Sequence, residues 1–223
     1  MSLPTIDDAR QAAEVFRSNL PHIVDGRSFT LESKNPFKAM VLREAMIHRV
    51  SSLADGAVSE FQDGRWVSAT VLVRAIVETA AVLHSLESRV SRALDMRNDG
   101  ELTEFLRRTM VASRSEPDLP EAINVLGLID KVDRDFRGFR RAYDQLSEYC
   151  HPNWCGALGA FSELDGENRT VSFAAFDRSN ARSASISGLM GALVVAQHAY
   201  NSSGLRIAQL SEAFDRRDIT YAT

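Results

Sequence analysis

The sequence is poor in cysteine, with only Cys150 and Cys155 among its 223 residues. Two cysteines exclude a disulfide framework and favour a reducing compartment. The start of the chain, MSLPTIDDAR, lacks the basic and apolar regions of a secretory signal peptide. No uncharged apolar run reaches the roughly 18 residues that a membrane span needs. We therefore expect a cytoplasmic protein with no membrane-spanning segment.

Basic residues are also not in excess. The formal net charge is -4 and the pI is about 5.8. This balance argues against a general polyanion binder, which normally presents a broad basic face, although a local basic patch stays open. The sequence has no P-loop, no Gly-rich dinucleotide turn and no nucleophile elbow. It also has no internal repeat and no low-complexity tract that stands out.

The hydrophobic content of 44% is enough for a buried core in a chain of this length. Apolar residues recur at helical spacing over most of the chain, which predicts an all-α, up-down bundle of about five to six helices. Between 156 and 178, two short apolar segments flank the sequence DGEN, and this pattern predicts a small β-hairpin or ordered loop near 158–176. We expect a single domain, 1–223, divided into an N-terminal helix and loop (1–34), core helices (35–155), the hairpin or loop (156–178) and one or two C-terminal helices (179–223).

Local signals predict where the first helices begin. Thr5 or Asp7 can cap a short first helix. Asn35 is expected as the N-cap of a long second helix, with Pro36 at its first position. A third helix is apolar nearly all round from 67 to 86, as in the centre of a bundle, and should be the most buried element.

The later helices follow from the same signals. A helix is expected from about 101 to 113, and a short one after Pro120. An apolar stripe with spacings of 3, 4, 3 and 4 predicts a helix that Pro152 closes. The stripe consists of Phe136, Phe139, Tyr143, Leu146 and Cys150. The C-terminal region is predicted as one helix, or as two that break near Ser203 and Gly204.

The stretch SEYCHPNWCG, 147–156, gathers chemically reactive side chains where this helix ends. His151 shares a polar helix face with Ser147 and Asp144. A histidine at a helix C-terminus is stabilised in its charged form by the helix dipole, and near neutral pH it can serve as an acid-base group. The alternative is that His151 caps the helix and packs against Trp154.

A second unusual feature is LVRAIVETAAVL, in which Arg74 and Glu78 interrupt an apolar helix. Charged groups on such a helix need partners. Arg before Glu at a spacing of four is the weaker order for an intrahelical pair, which favours partners on another helix. His151, Asp144 and Glu148 are the candidates. The alternative is a structural ion-pair network that fixes helix register.

Together, the two motifs resemble the HEPN superfamily and related bacterial helical domains, over about residues 65–160. The motifs are Arg-x-x-x-Glu and a later Leu-Ser-x-x-x-His-Pro, here Arg74, Glu78, Leu146, Ser147, His151 and Pro152. HEPN proteins are all-α, commonly dimeric, and often metal-independent ribonucleases of toxin–antitoxin or phage-defence systems. Their catalytic helix carries an Arg and a His with four to six residues between them. In this sequence that window holds Asp144, Gln145 and Leu146, so the motif lacks its Arg.

The resemblance implies a homodimer that acts on RNA or binds a protein partner. His151 would be the acid-base, Arg74 would stabilise charge on the scissile phosphate, and Ser147 or Asp144 would orient the His, with Glu78 beside them. The alternative is a non-catalytic, homo-oligomeric interaction module in which Arg74, Glu78 and His151 form a structural polar network.

Metal chemistry is a third alternative. Glu148 and His151 form a Glu-x-x-His half-motif of di-iron carboxylate bundles, with Glu78 and Glu44 as further ligands. The second half-motif is missing, because Glu44 and His48 are four residues apart rather than three. The two cysteines beside His151 leave a zinc site without a fourth ligand. We therefore predict no metal and no cofactor.

Overall fold

The protein is mostly helical. The computed structural model describes residues 3–111 and 118–219, which form eight α-helices and one antiparallel hairpin. The helices are α1 (Ile6–Ser18), α2 (Asn35–Gln62), α3 (Trp66–Met96), α4 (Gly100–Met110), α5 (Val125–Asp135), α6 (Phe139–Cys150), α7 (Gly159–Phe161) and α8 (Ser179–Asp215). The strands are β1 (Ser162–Asp165) and β2 (Thr170–Phe173). The helical fold and the hairpin are confirmed. The expected five to six helices were too few, because the eight helices of the described ranges include short ones, among them the one-turn helix α7, which has no periodic signal of its own.

Helix α3 lies at the centre and contacts α2, α4, α5, α6 and α8. Its apolar residues are buried on several sides, as its pattern predicted. Within the described ranges it is also the one helix long and apolar enough, by length and composition, to cross a membrane. In the fold, 56% of its most apolar 18-residue window is buried inside the protein. Packing in the core thus accounts for the apolar character of α3.

The predicted N-caps of the first two helices were correct for α1 and wrong for α2. Thr5 caps α1, because its hydroxyl accepts from the Asp8 backbone N–H at 3.2 Å and its own N–H donates to the Asp8 carboxylate at 2.8 Å. The prediction for Asn35 was wrong by one position: Asn35 is the first residue of α2 rather than its N-cap. Its side-chain amide instead donates to Asp99 and Thr103, both at 2.7 Å. The Asn35 side chain, which the local pattern assigned to capping α2, therefore makes tertiary contacts instead.

Helix α8 runs unbroken through Ser203 and Gly204, so the two-helix alternative is excluded. Both small residues make room for the buried Arg43 of α2. The Ser203 hydroxyl accepts from Arg43 Nε at 3.2 Å. A Cβ at Gly204 would lie 2.9 Å from Arg43 Nη2. The Ser-Gly pair thus marks a close approach of two helices rather than a turn.

Arg43 is the centre of a buried polar network that the sequence analysis missed. It pairs with Glu44, and its guanidinium carbon lies 3.4 Å from the centroid of the Tyr200 ring. It also donates to the Tyr200 carbonyl at 2.9 Å, while the Tyr200 hydroxyl donates to Glu44 at 2.8 Å. This network joins α2 to α8. Glu44 had been considered only as a metal ligand.

The predicted end of α6 before Pro152 is confirmed, but the predicted stripe was too long: Phe136 is the C-cap of α5, and α6 begins at Phe139. His151 is the C-cap of α6 in an extended conformation, directly before Pro152. One π-helical turn (Trp154–Leu158) and α7 lead into β1. The strands pair Ser162 with Phe173 and Leu164 with Val171. The hairpin contacts the π-helical turn that precedes it.

Candidate functional site

Arg74 and Glu78 lie at the junction of α3 and α6. Arg74 Nη2 is 3.1 Å from Glu78 Oε1, so the two residues pair within α3 despite the weaker order. Arg74 Nε also donates to the Ser147 hydroxyl on α6 at 3.1 Å. The structure therefore brings three of the five predicted site residues together. Arg74 has a partner on another helix, as expected, but that partner is Ser147 and not one of the three candidates, His151, Asp144 and Glu148.

Tyr143 joins the two charges, and the sequence analysis had placed it only in the apolar stripe. Its hydroxyl accepts from Arg74 Nη2 at 2.7 Å and donates to Glu78 Oε1 at 3.0 Å. The Tyr143 ring is buried, as the stripe predicted. A tyrosine presents an apolar ring and a polar tip, and this combination was the signal that could have identified it.

These four residues, Arg74, Glu78, Tyr143 and Ser147, form what we call the α3–α6 latch. The charged side chains are 35% and 31% exposed, so the latch lies at the edge of the core. Burial opposes the charge on Arg74, but the Tyr143 hydrogen bond and the Glu78 charge outweigh it and raise the pKa of Arg74. The guanidinium is therefore a permanent cation.

Cys150 lies beside the latch, half-buried and not in a disulfide. Burial raises the pKa of its thiol, Glu78 raises it further, and Arg74 acts in the opposite direction. Reactive cysteines need a lowered pKa, because the thiolate is the nucleophile. Cys150 is thus held in its unreactive thiol form.

His151 and Asp144 do not join the latch. The His151 side chain is exposed, and the contacts found within residues 3–111 and 118–219 do not link it to Arg74 or Glu78. Asp144 accepts from Arg140 Nε at 2.8 Å, and Arg140 also donates to Asp130 of α5 at 2.6 Å. Asp144 therefore belongs to an exposed ion-pair group between α5 and α6.

The residues considered as metal ligands are likewise separated. Glu148 accepts from the Asn153 side chain at 2.9 Å, Glu44 is held by Tyr200, and Glu78 belongs to the latch. The described part of the chain contains no group of three or more His, Cys, Asp or Glu residues placed to hold a metal ion.

The latch can orient and hold the two helices that it joins. Each polar end has a partner: Arg74 donates to Tyr143 and Ser147, and Tyr143 donates to Glu78. Such closed networks fix the geometry of the elements that they join.

Comparison with protein-family models, with curated proteins and with solved structures gave no match.

Proposed function

We propose that this protein is a non-catalytic helical module that self-associates through its hairpin. The observation that carries the proposal is an uncovered apolar face on that hairpin. Leu164, Val171 and Phe173 are 72%, 48% and 76% exposed. Because side chains alternate across a strand and Leu164 pairs with Val171, these three lie on one face. A two-stranded hairpin is marginally stable by itself, so a partner that covers this face would stabilise it.

The segment that leads into the hairpin adds further exposed apolar side chains. They are Trp154, Leu158 and Phe161. With about 150–250 Å² for a whole aromatic side chain and somewhat less for an aliphatic one, the six residues expose on the order of 600 Å². A standard interface buries about 800 Å² on each partner. A partner that covers all six side chains would thus bury most of the area that a stable dimer needs.

A second copy of this chain is the occupant that the charges favour. A two-fold interface sets the same patch against itself, so the patch must not repel its own copy. The apolar face carries no charge, because Glu163 and Asp165 alternate onto the opposite face of the hairpin. Those carboxylates, in a chain of net charge -4, also disfavour an anionic lipid surface.

The latch has a structural role in this proposal. It holds α6 against α3, and α6 leads directly into the π-helical turn and the hairpin. We further propose that the long helices alternate in direction, as supported by the short connection 63–65 between α2 and α3. The two free cysteines are in keeping with the proposed cytoplasmic location.

Light scattering coupled to size exclusion tests the self-association. We expect the wild-type chain to be a dimer and Leu164→Glu to be a monomer with an unchanged circular dichroism spectrum. Leu205→Glu is the matched control, because Leu205 is 69% exposed on α8, outside the hairpin. It should remain dimeric. A monomeric wild-type chain at high micromolar concentration, or equal dissociation of the two variants, would contradict the proposal.

A metal-independent ribonuclease of the HEPN kind is the second candidate. One observation favours it: Arg74 is partly exposed and bonded to Ser147, one turn before the exposed His151 on the same helix. If this function is correct, His151→Ala abolishes cleavage of single-stranded RNA and leaves unfolding cooperative. His22→Ala, which removes another exposed histidine, keeps the activity. RNA left intact by the wild-type chain, or cleaved equally by His151→Ala, excludes this candidate.

A further inference from the structure

A second site lies away from the latch and the hairpin. It is a cleft of about 420 Å³ between the C-terminal half of α3, one face of α4 and the segment that precedes α5. The charged side chains that line it are Arg89, Arg108, Glu101 and Glu104. Its volume falls in the range of small-molecule sites, about 300–1,000 Å³. The α4 N-terminus, at Gly100, also borders it and adds a positive dipole end.

Arg89 is fixed in the cleft with most of its donors unused. Its guanidinium carbon lies 4.4 Å from the centroid of the Phe105 ring. Its Nη1 donates to the Ser85 carbonyl at 3.1 Å, within α3. A guanidinium has five N–H donors, and in the described ranges Arg89 forms no ion pair. The aromatic stack therefore orients a cation that forms no close ion pair, and the charge of Glu101 acts on it only without direct contact.

Arg108 is a second cation of the same kind. It donates through Nε to the Glu121 carbonyl at 2.9 Å and through Nη2 to the Ala122 carbonyl at 3.2 Å. These bonds tie the segment before α5 to α4. Within the described ranges Arg108 forms no ion pair, and the charge of Glu104 acts on it without direct contact. The cleft thus holds two guanidinium groups that are positioned by backbone and aromatic contacts.

The two carboxylates of the cleft are paired with other arginines. Glu101 is 3.2 Å from Arg92, and Glu104 accepts from Arg107 at 2.8 and 2.9 Å. Arg92 and Arg107 do not line the cleft. Each acid therefore forms its ion pair with an arginine outside the cleft, while its charge also acts on a cation inside it, Glu101 on Arg89 and Glu104 on Arg108.

Lys131 of α5 adds positive charge beside Arg89. Burial lowers the pKa of Lys131, and the nearby charge of Arg89 lowers it further, with smaller contributions from Arg134 and Arg92 and an opposing one from Glu101. Lys131 has no ion pair within the part of the chain that the structure describes. Like charges held together in this way are relieved when an anion binds between them.

We propose that this cleft binds a small phosphate-bearing anion, with Arg89 and Arg108 as its donors and Lys131 as an additional positive charge. The planar guanidinium fork matches the oxygens of a phosphate group in two parallel hydrogen bonds. A small ligand is favoured over a nucleic acid, because the charge is confined to one cleft of an acidic chain, whereas a nucleic acid needs a long basic track.

Isothermal titration calorimetry with inorganic pyrophosphate, at fixed ionic strength, tests the site. We expect saturable binding to the wild-type chain and at least about tenfold weaker binding to Arg89→Met, because a charge-assisted contact is lost. Methionine keeps an apolar side chain against Phe105, which preserves the packing. Arg10→Met is the matched control: Arg10 is an exposed arginine of α1, ion-paired with Asp7. It should bind pyrophosphate like the wild type.

Two further measurements make the outcome unambiguous. Lys131→Met, a change on the exposed side of α5, should weaken pyrophosphate binding several-fold while circular dichroism stays unchanged. A short RNA at the same phosphate concentration should bind no more tightly than pyrophosphate. The proposal is overturned if the wild-type chain does not bind pyrophosphate, if Arg89→Met and Arg10→Met bind it equally, or if RNA alone binds in an Arg89-dependent way.

Discussion

Tyr143 shows how one atom decides the role of a residue. The sequence predicted its buried ring from the apolar stripe, and it predicted that Arg74 and Glu78 need polar partners. It could not predict that the Tyr143 hydroxyl lies between those charges, because the spacing of residues along α6 does not fix the position of α6 against α3. The prediction of Asp144 and His151 as neighbours of the pair rested on a helix face that they share with Ser147. Of these three residues only Ser147 reaches Arg74, because Asp144 pairs with Arg140 and His151 lies at the end of α6.

Tyr143→Phe should therefore destabilise the fold without changing its packing. The substitution removes one hydroxyl that accepts from Arg74 and donates to Glu78, and the expected loss is about 1–2 kcal/mol of unfolding free energy. Urea denaturation measures it. Tyr149→Phe is the control, because within the described ranges the Tyr149 ring packs edge-on against Trp66 and its hydroxyl makes no hydrogen bond. Equal losses in both variants would show that the latch contributes nothing beyond packing.

Cys150 gives a pH-dependent prediction at the same scale. Burial raises the pKa of its thiol, so the folded state holds the proton more tightly than the unfolded chain. The associated stability is present below the pKa of the unfolded thiol and is lost as the pH rises through the folded pKa. In a Cys155→Ser background, the rate of iodoacetamide alkylation should rise at a higher pH in the folded protein than in urea. Coincident profiles would refute the raised pKa.

At the scale of elements, helix α8 shows which features follow from the local sequence and which depend on tertiary contacts. Apolar periodicity predicted a helix from about 179, and the structure gives α8 from Ser179 to Asp215. The Ser203-Gly204 pair left a break open, because glycine and serine are common where helices end. The close contact with Arg43 of α2 explains why both residues are small within a continuous helix, and no local pattern contains that contact. The same reason explains Asn35, whose side chain binds α4 rather than capping α2.

Two glycines of α8 make this argument testable. Gly204→Ala should lower the unfolding free energy by about 1–3 kcal/mol, because its Cβ would overpack against Arg43. Gly191→Ala on the same helix has open space around its Cβ and should gain up to about 1 kcal/mol from helix propensity. Chemical denaturation of both variants gives the comparison. A gain in Gly204→Ala would mean that Arg43 moves aside at little cost.

At the scale of the whole molecule, composition and periodicity predicted a helical protein with a small hairpin, and the structure confirms both. The exposed apolar face of the hairpin, in contrast, could not be predicted from the sequence. The alternation of Leu164, Val171 and Phe173 was visible in the sequence, but only the strand register shows that they share one face and that the bundle leaves this face exposed. The proposed dimer follows from that exposure rather than from the periodicity.

Self-association through the hairpin couples the stability of the whole molecule to its concentration. A partner that binds only the folded state stabilises it by mass action, so the midpoint of thermal unfolding should rise as the wild-type concentration is increased. Leu164→Glu should remove this dependence, while its midpoint at high dilution should match that of the wild type. Leu205→Glu should keep the dependence. Calorimetric scans over a hundredfold range of concentration measure this dependence. By mass action, such a range changes the stability of the folded dimer by roughly 2.7 kcal/mol. A wild-type midpoint that is constant over this range would rule out the dimer.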